Sequence, residues 1–298
     1  MTKEQGRLAF IAVGALWGTV GICVRFLSIS SSFLAFFRAV IGLVFIVGAL
    51  AVMRRAINWH TLKSNLALLA FSGVAIGLNW LFLFQAYLYT SVAVATLFNY
   101  LAPIYVVVLS PLVLGERLNR HKLLAVALAL IGMVCVSGIL TQGLPSGRNA
   151  IGILCALASG FLYACAVFSN KKMKGITGVE MTIGQLFFAG AVVGIYLLAR
   201  GQWTHISLDT RSILIILVVG IVHTGIAYLL YFSALEASPA QTAAGYSYID
   251  PLVAIFVSWL IFSQPLDLLG WIGAALIALA TIYADRSDAP IVKDNEST

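Results

Sequence analysis

Apolar runs as long as a bilayer is thick recur along this chain, and nothing else in it restricts the fold so strongly. They fall at residues 8–27, 33–53, 66–88, 92–114, 121–140, 150–170, 179–199, 212–234, 240–262 and 266–284. A helix needs about 20 apolar residues to cross about 30 Å of hydrocarbon, so each run is long enough for one span. In lipid every backbone polar group must be paired within a helix or a closed barrel. The runs lack the alternation of barrel strands. They predict an all-α integral membrane protein of ten transmembrane helices.

Composition excludes the alternatives. Of 298 residues, 61% are hydrophobic and 10% charged, and the mean hydropathy is +1.00. Soluble domains carry about 25% charged residues, and disordered chains are polar, so neither class fits. Ten spans consume roughly 200 residues, which predicts no sizeable extramembrane domain and places any function in the bundle or its loops. The connections near Thr90 and Ser238 are short enough to require tight antiparallel hairpins. Span one is too long, and lacks the cleavage site, for a removable signal peptide. Residues 287–298 are expected to form a disordered cytoplasmic tail.

The net charge is +7, which in a soluble protein would suggest nucleic acid. Here the basic residues flank spans, so the expected partners are the lipid bilayer and a small-molecule substrate, with no nucleic acid. With ten spans, thirteen of the 18 Lys and Arg fall on the side of both termini. Arg148, Arg200 and Arg211 fall on the other, and Arg25 and Arg38 lie within spans. The positive-inside rule then makes both termini cytoplasmic. Cys23, Cys135, Cys155 and Cys165 lie in apolar runs without zinc or redox spacing and read as packing residues. There is no HExxH, GxSxG, glycine-rich phosphate loop or acidic cluster. No catalytic residue, metal or cofactor is expected, and the chain reads as a non-enzyme. Monomer and homodimer stay equally open.

The chain also repeats itself. SVAVATLFNYLAPIYVVVLSPLVLGERLN from Ser91 resembles SPAQTAAGYSYIDPLVAIFVSWLIFSQPLD from Ser238. Pro103 matches Pro251 and Glu116 matches Gln264, both 148 residues apart, while Ser91 and Ser238 are 147 apart. Five spans per half is an odd number, so the halves must insert in opposite senses. Residues 1–142 and 143–286 are therefore expected as two inverted-topology five-helix repeats around a central cavity, the architecture of alternating access.

These features, with ALWG at Ala15–Gly18, Arg38 early in span two, and PIYVVVLSPLVLGERLNRHKLLAVALALIG from Pro103, resemble the EamA family of the drug/metabolite transporter superfamily. The resemblance covers nearly the whole chain. It implies a permease of the bacterial inner membrane, often an exporter of amino acids or other small metabolites, with a cavity lined by both halves. The second half departs from the pattern where Ser263-Gln264 replaces the Gly115-Glu116 pair.

Ionisable groups at membrane depth are costly and therefore candidates for function. Asp250 lies about 15 Å into span nine at 1.5 Å per residue, and His223 lies at a similar depth in span eight. Together they could relay a coupled proton; alternatively, Asp250 satisfies backbone groups freed by Pro251. Pro103 and Pro251 should break spans four and nine. Polar groups precede both: Thr96, Asn99 and Tyr100 share one helical face, as do Thr242, Tyr246 and Asp250, with Tyr248 nearby. Trp17, Trp80, Tyr163 and Tyr228 sit within their spans rather than in the interfacial belts, and Asn79 adjoins Trp80. These residues are candidates to line a substrate cavity, with core packing as the competing role. Arg38 could snorkel, pair with an acid, or receive a substrate carboxylate. Gln185 occupies the mirror-related place in span seven.

Two transport readings follow. One is a secondary transporter exporting small metabolites such as amino acids, with proton coupling open. The other is a multidrug exporter of lipophilic cations. An intramembrane lipid-processing enzyme would require a nucleophile or metal constellation that the sequence lacks.

Overall fold

Helices run unbroken through five of the apolar stretches that carry no internal proline. These are α1 (Lys3–Arg25), α2 (Ser31–Val52), α4 (Leu66–Tyr89), α9 (Asn149–Lys172) and α10 (Gly178–Ala199), with a short α3 (Trp59–Ser64) in the loop before α4. Spans four and nine are each delivered in two pieces. The first is α5 (Val92–Asn99) and α6 (Ala102–Leu114), and the second is α13 (Ala240–Tyr246) and α14 (Ile249–Phe262). The breaks, at Tyr100–Leu101 and Ser247–Tyr248, leave Pro103 and Pro251 in the first turn of the following helix, where a missing N–H costs little. The remaining elements are α7 (Arg120–Val136), α8 (Ile139–Gln142), α11 (Thr210–Gly220), α12 (Ala227–Glu236) and α15 (Leu268–Arg286). A π-turn at Ile221–Ile226 joins α11 to α12. This computed structural model describes residues 1–286 except 28, 91, 118–119, 137–138, 144–146, 148, 206–208 and 263–267. The expected tail, Ser91, Arg148 and the Ser263-Gln264 pair thus lie outside the described residues.

The described residues contain no strand. Six stretches among them are long and apolar enough to cross a membrane: Ser31–Val52, Leu66–Tyr89, Val94–Leu114, Ala150–Lys172, Gly178–Ala199 and Thr210–Glu236. Spans five and nine appear as shorter pieces, because α7 has 17 residues while α13 and α14 have 7 and 14. The burial pattern suits lipid. Val44, Leu112, Leu154, Ile195 and Leu198 are exposed, whereas Arg38, Asn79, Gln185 and His223 are buried. Apolar surface outside and polar groups inside is the arrangement that hydrocarbon favours.

Local chemistry fixes the helix ends. Thr177 and Glu180 form a reciprocal capping box at the start of α10, and Asp209 accepts the Ser212 N–H at the start of α11. Gly115 ends α6 at φ +69°, a left-handed conformation that glycine adopts without penalty. That turn aims Glu116 across to the second half, where its Oε1 accepts the Ala240 N–H at 3.0 Å. Lys171 Nζ donates to the carbonyls of Leu235 and Ser238 at 3.1 and 2.7 Å, binding the same hairpin.

Packing sets the neighbours. α4 lies along α9 and α10, α2 along α10, α7 along α15, and α1 along α12 and α14, while α5 and α6 flank α9. Glycine permits the closest approaches. A Cβ on Gly14 would stand 2.8 Å from Ile249 Cβ, and one on Gly132 would stand 2.6 Å from the Gly273 carbonyl oxygen. Small residues replace apolar driving force at membrane helix contacts, since lipid is as apolar as leucine.

Candidate functional site

Where α1 meets the two broken spans, the helices leave a cavity of about 100 Å³. α1 contributes Phe10, Val13, Gly14 and Trp17, one stripe at helical spacing. The α5–α6 break contributes Asn99, Tyr100, Ala102 and Pro103, and the α13–α14 break contributes Ala243, Tyr246, Ser247 and Asp250. Tyr163 of α9 and Tyr231 of α12 complete the wall. A regular helix would turn its carbonyls and side chains in strict rotation. The two interruptions free this stretch to face a cavity, which is where membrane proteins tolerate irregular backbone.

Its chemistry is one carboxylate among aromatic rings. Tyr100 and Asp250 both line the cavity. The Tyr163 hydroxyl donates to Tyr231 Oη at 2.8 Å. Phe10 stacks on Tyr246 with centroids 5.6 Å apart and meets Tyr231 edge-on at 5.7 Å, while Trp17 lies 5.2 Å from Tyr231. No Lys, Arg or His lines the cavity among the described residues. An acid framed by ring faces attracts an ammonium or other cationic group. A cavity of about 150 Å³ accepts benzene, so a larger guest needs these walls to move.

Seven of the residues singled out in the sequence meet here: Trp17, Asn99, Tyr100, Pro103, Tyr163, Tyr246 and Asp250. The others do not line this cavity. Asn79 is buried against α9, its Nδ2 donating to the Ser159 carbonyl and Oγ at 2.8 and 2.7 Å, and Ser159 Oγ reaches Asn99 Oδ1 at 2.8 Å. Tyr228 packs on Trp17 at 5.5 Å and edge-on to Trp80 at 6.3 Å. Trp80 carries the Arg38 guanidinium over its face at 4.6 Å. Pro251 is buried, and Tyr248 is 1% exposed with its hydroxyl unpartnered. His223, within the π-turn, contacts Thr19 Oγ1 through Nε2 at 3.0 Å, and no hydrogen bond joins it to Asp250 among the described residues. Trp17 links the two layers, since its Nε1 donates to the His223 carbonyl at 3.0 Å.

Sequence reasoning missed Phe10, Val13, Gly14, Ala102, Tyr231, Ala243 and Ser247 as lining residues. The i, i+4, i+7 spacing of Phe10, Gly14 and Trp17 carried a usable signal for α1. Tyr231 carried less, because the π-turn resets the facing of every residue after it. Gln185 belongs to a separate buried network, donating to Ser72 Oγ, which in turn donates to Asn170 Oδ1. No group of three or more metal-ligating side chains occurs among the described residues.

Known proteins share this build. The family model described as the EamA-like transporter family matches residues 5–138 and 150–284. An uncharacterized transporter of Archaeoglobus fulgidus is 28% identical over 284 residues, covering 95% of this chain and 97% of its own length. The uncharacterized transporter YxxF of Bacillus subtilis is 26% identical over 205 residues, 69% of this chain and 65% of its own. A protein of known crystal structure, 17% identical, superposes with a TM-score of 0.82 over 95% of this chain and 98% of its own, a likeness of fold alone.

Proposed function

This chain belongs to the EamA-like transporter family, and from that premise we propose that it is a secondary transporter exporting a small metabolite such as an amino acid by alternating access. It is a multi-pass membrane protein with transporter relatives, which points away from an enzyme. The observation that carries the proposal is the cavity itself. Two interrupted helices, one from each half of the chain, face each other across it with Asn99, Tyr100 and Asp250 exposed to a guest.

Further observations support ten spans in two inverted repeats. The family model matches two segments of nearly equal length. Exchanging each span for the one five further along preserves the neighbours. The contact of α4 with α9 answers that of α12 with α1, and α14 on α1 answers α6 on α9. The contact of α10 with α4 answers those of α2 with α11 and the π-turn. A protein built this way can rock one half against the other around a fixed midplane site. The distribution of Lys and Arg supports cytoplasmic termini in an inner membrane.

The test is flux in proteoliposomes across a panel of labelled amino acids, with reporter fusions locating the termini. Saturable flux and two cytoplasmic termini are expected; termini on opposite faces would overturn the repeat. Unsaturable flux would indicate a channel instead. The aromatic cavity with Asp250 and no basic residue favours a second reading, export of organic cations, and dye-resistance assays beside amino-acid-analogue resistance separate the two.

A further inference from the structure

Arg38 sits about 10 Å along α2 from its start at Ser31, at 1.5 Å per residue, within reach of the bundle end. Its head nevertheless stays inside. The residue is 8% exposed, its Nε donates to Thr224 Oγ1 at 3.0 Å, and its Cζ stands 4.6 Å over the Trp80 ring. A guanidinium offers five N–H donors in a planar fork matched to a carboxylate. One neutral hydroxyl and one ring face leave most of that fork unengaged.

The charge is also unbalanced within the protein. Glu116 accepts from Ala240, Glu180 from Asn58 and Thr177, Glu236 from Gly178 and Asp209 from Ser212, all at helix ends. Asp250 lines the cavity, and Arg38 does not. No carboxylate pairs with Arg38 among the described residues. A cation held inside a membrane bundle normally has a partner there or marks a ligand path. Ring contacts join Arg38 to the cavity: Trp17, a wall of the cavity, touches Tyr228, which touches Trp80, on whose face Arg38 lies. Trp17 also bonds the carbonyl of His223, the residue next to Arg38's partner Thr224.

We propose that Arg38, Trp80 and Thr224 form an anion subsite that takes the carboxylate of the transported molecule, one aromatic layer away from the cavity that holds Asp250. The assignment rests on the transport function proposed above. It makes the substrate a zwitterion whose ammonium end suits Asp250 and whose carboxylate end suits Arg38. Passage past Trp17 and Tyr228 then moves it between two charges of opposite sign. A bidentate pair with Arg38 supplies geometry that a lysine cannot.

The source of the anion is decided by titrating purified protein with sodium acetate or sodium chloride at constant ionic strength, reading tryptophan fluorescence. A saturable response to acetate is expected. It should be abolished in Arg38→Gln and weakened about tenfold in Arg38→Lys, which keeps the charge without the fork. A response to chloride but not acetate would assign the subsite to an inorganic ion and overturn the carboxylate. No saturable response to either, in protein that elutes as a single folded species, would overturn the subsite altogether. In proteoliposomes, labelled amino acids are compared with their decarboxylated amines. Arg38→Gln should raise KM for the amino acids about tenfold or more and leave the amines unchanged; equal loss for both makes Arg38 structural. If nothing in the panel moves while acetate still binds, the transport reading fails and the subsite stands.

Discussion

Gly18 and Asp250 touch backbone to backbone: a Cβ on Gly18 would lie 2.6 Å from the Asp250 carbonyl oxygen and 2.7 Å from Val253 Cβ. The cavity carboxylate is therefore held where α1 packs tightly against α14. That contact makes α1 the reference against which Asp250 is positioned, and it leaves no room for any other residue at position 18.

Gly18→Ala should push α1 off α14 and displace Asp250. Overpacking of a tight contact costs about 1–3 kcal/mol. A lower thermal midpoint in detergent is expected, together with a loss of flux larger than the loss of folded protein. A variant with wild-type midpoint and wild-type flux would show that the contact is not formed in the working protein.

Asp250→Asn keeps the size of the side chain and removes its charge. The proton-coupled form of the proposed mechanism expects flux in this variant to stop responding to an imposed pH gradient. Measurement of initial rates with and without the gradient decides the matter, and an unaltered gradient response would remove Asp250 from coupling.

The Asn79–Ser159–Asn99 network is buried glue between α4, α9 and α5. Hydrogen bonds between membrane helices contribute on average about 0.6 kcal/mol and at most about 1.7. Ser159→Ala should therefore lower unfolding stability by an amount in that range. Because Asn99 also faces the cavity, losing its partner should shift KM as well. Equilibrium unfolding in mixed micelles and a substrate titration read the two effects separately.

Glu116 caps α13 from the opposite half of the chain through the Ala240 N–H. A hydrogen bond to a charged group contributes about 1.5–3 kcal/mol, and less where water competes, as at this half-buried position. Glu116→Ala should lower the thermal midpoint, with Glu116→Gln intermediate because the amide oxygen can still accept. The same midpoint for all three proteins would show that the cap is not formed.

Much of the architecture was legible in the sequence because lipid makes stringent demands. An apolar run of span length without proline has no alternative to helix, and α2, α4, α9 and α10 follow from that alone. Pro103 and Pro251 marked the two interruptions, since a residue without an N–H is tolerated in a first turn and seldom deeper. The cavity was legible only in depth. Asp250 was placed by counting residues from a span end, and depth along a helix survives packing. Azimuth does not. Tyr228 and Tyr231 are three residues apart in the same span, yet only Tyr231 lines the cavity, while Tyr228 packs between Trp17 and Trp80.

What the sequence determined by itself was the solvent of this protein, the helical secondary structure that hydrocarbon imposes, the family, and the rows of residues that could face inward. Tertiary structure alone decided which of those residues meet. It set Asp250 among tyrosines, put His223 against Thr19 and parked Arg38 on Trp80. The reason is geometric: the rotation of one helix about its axis is fixed by the close contacts it makes with others, as at Gly14, Gly18 and Gly132, and those contacts join residues far apart in the chain.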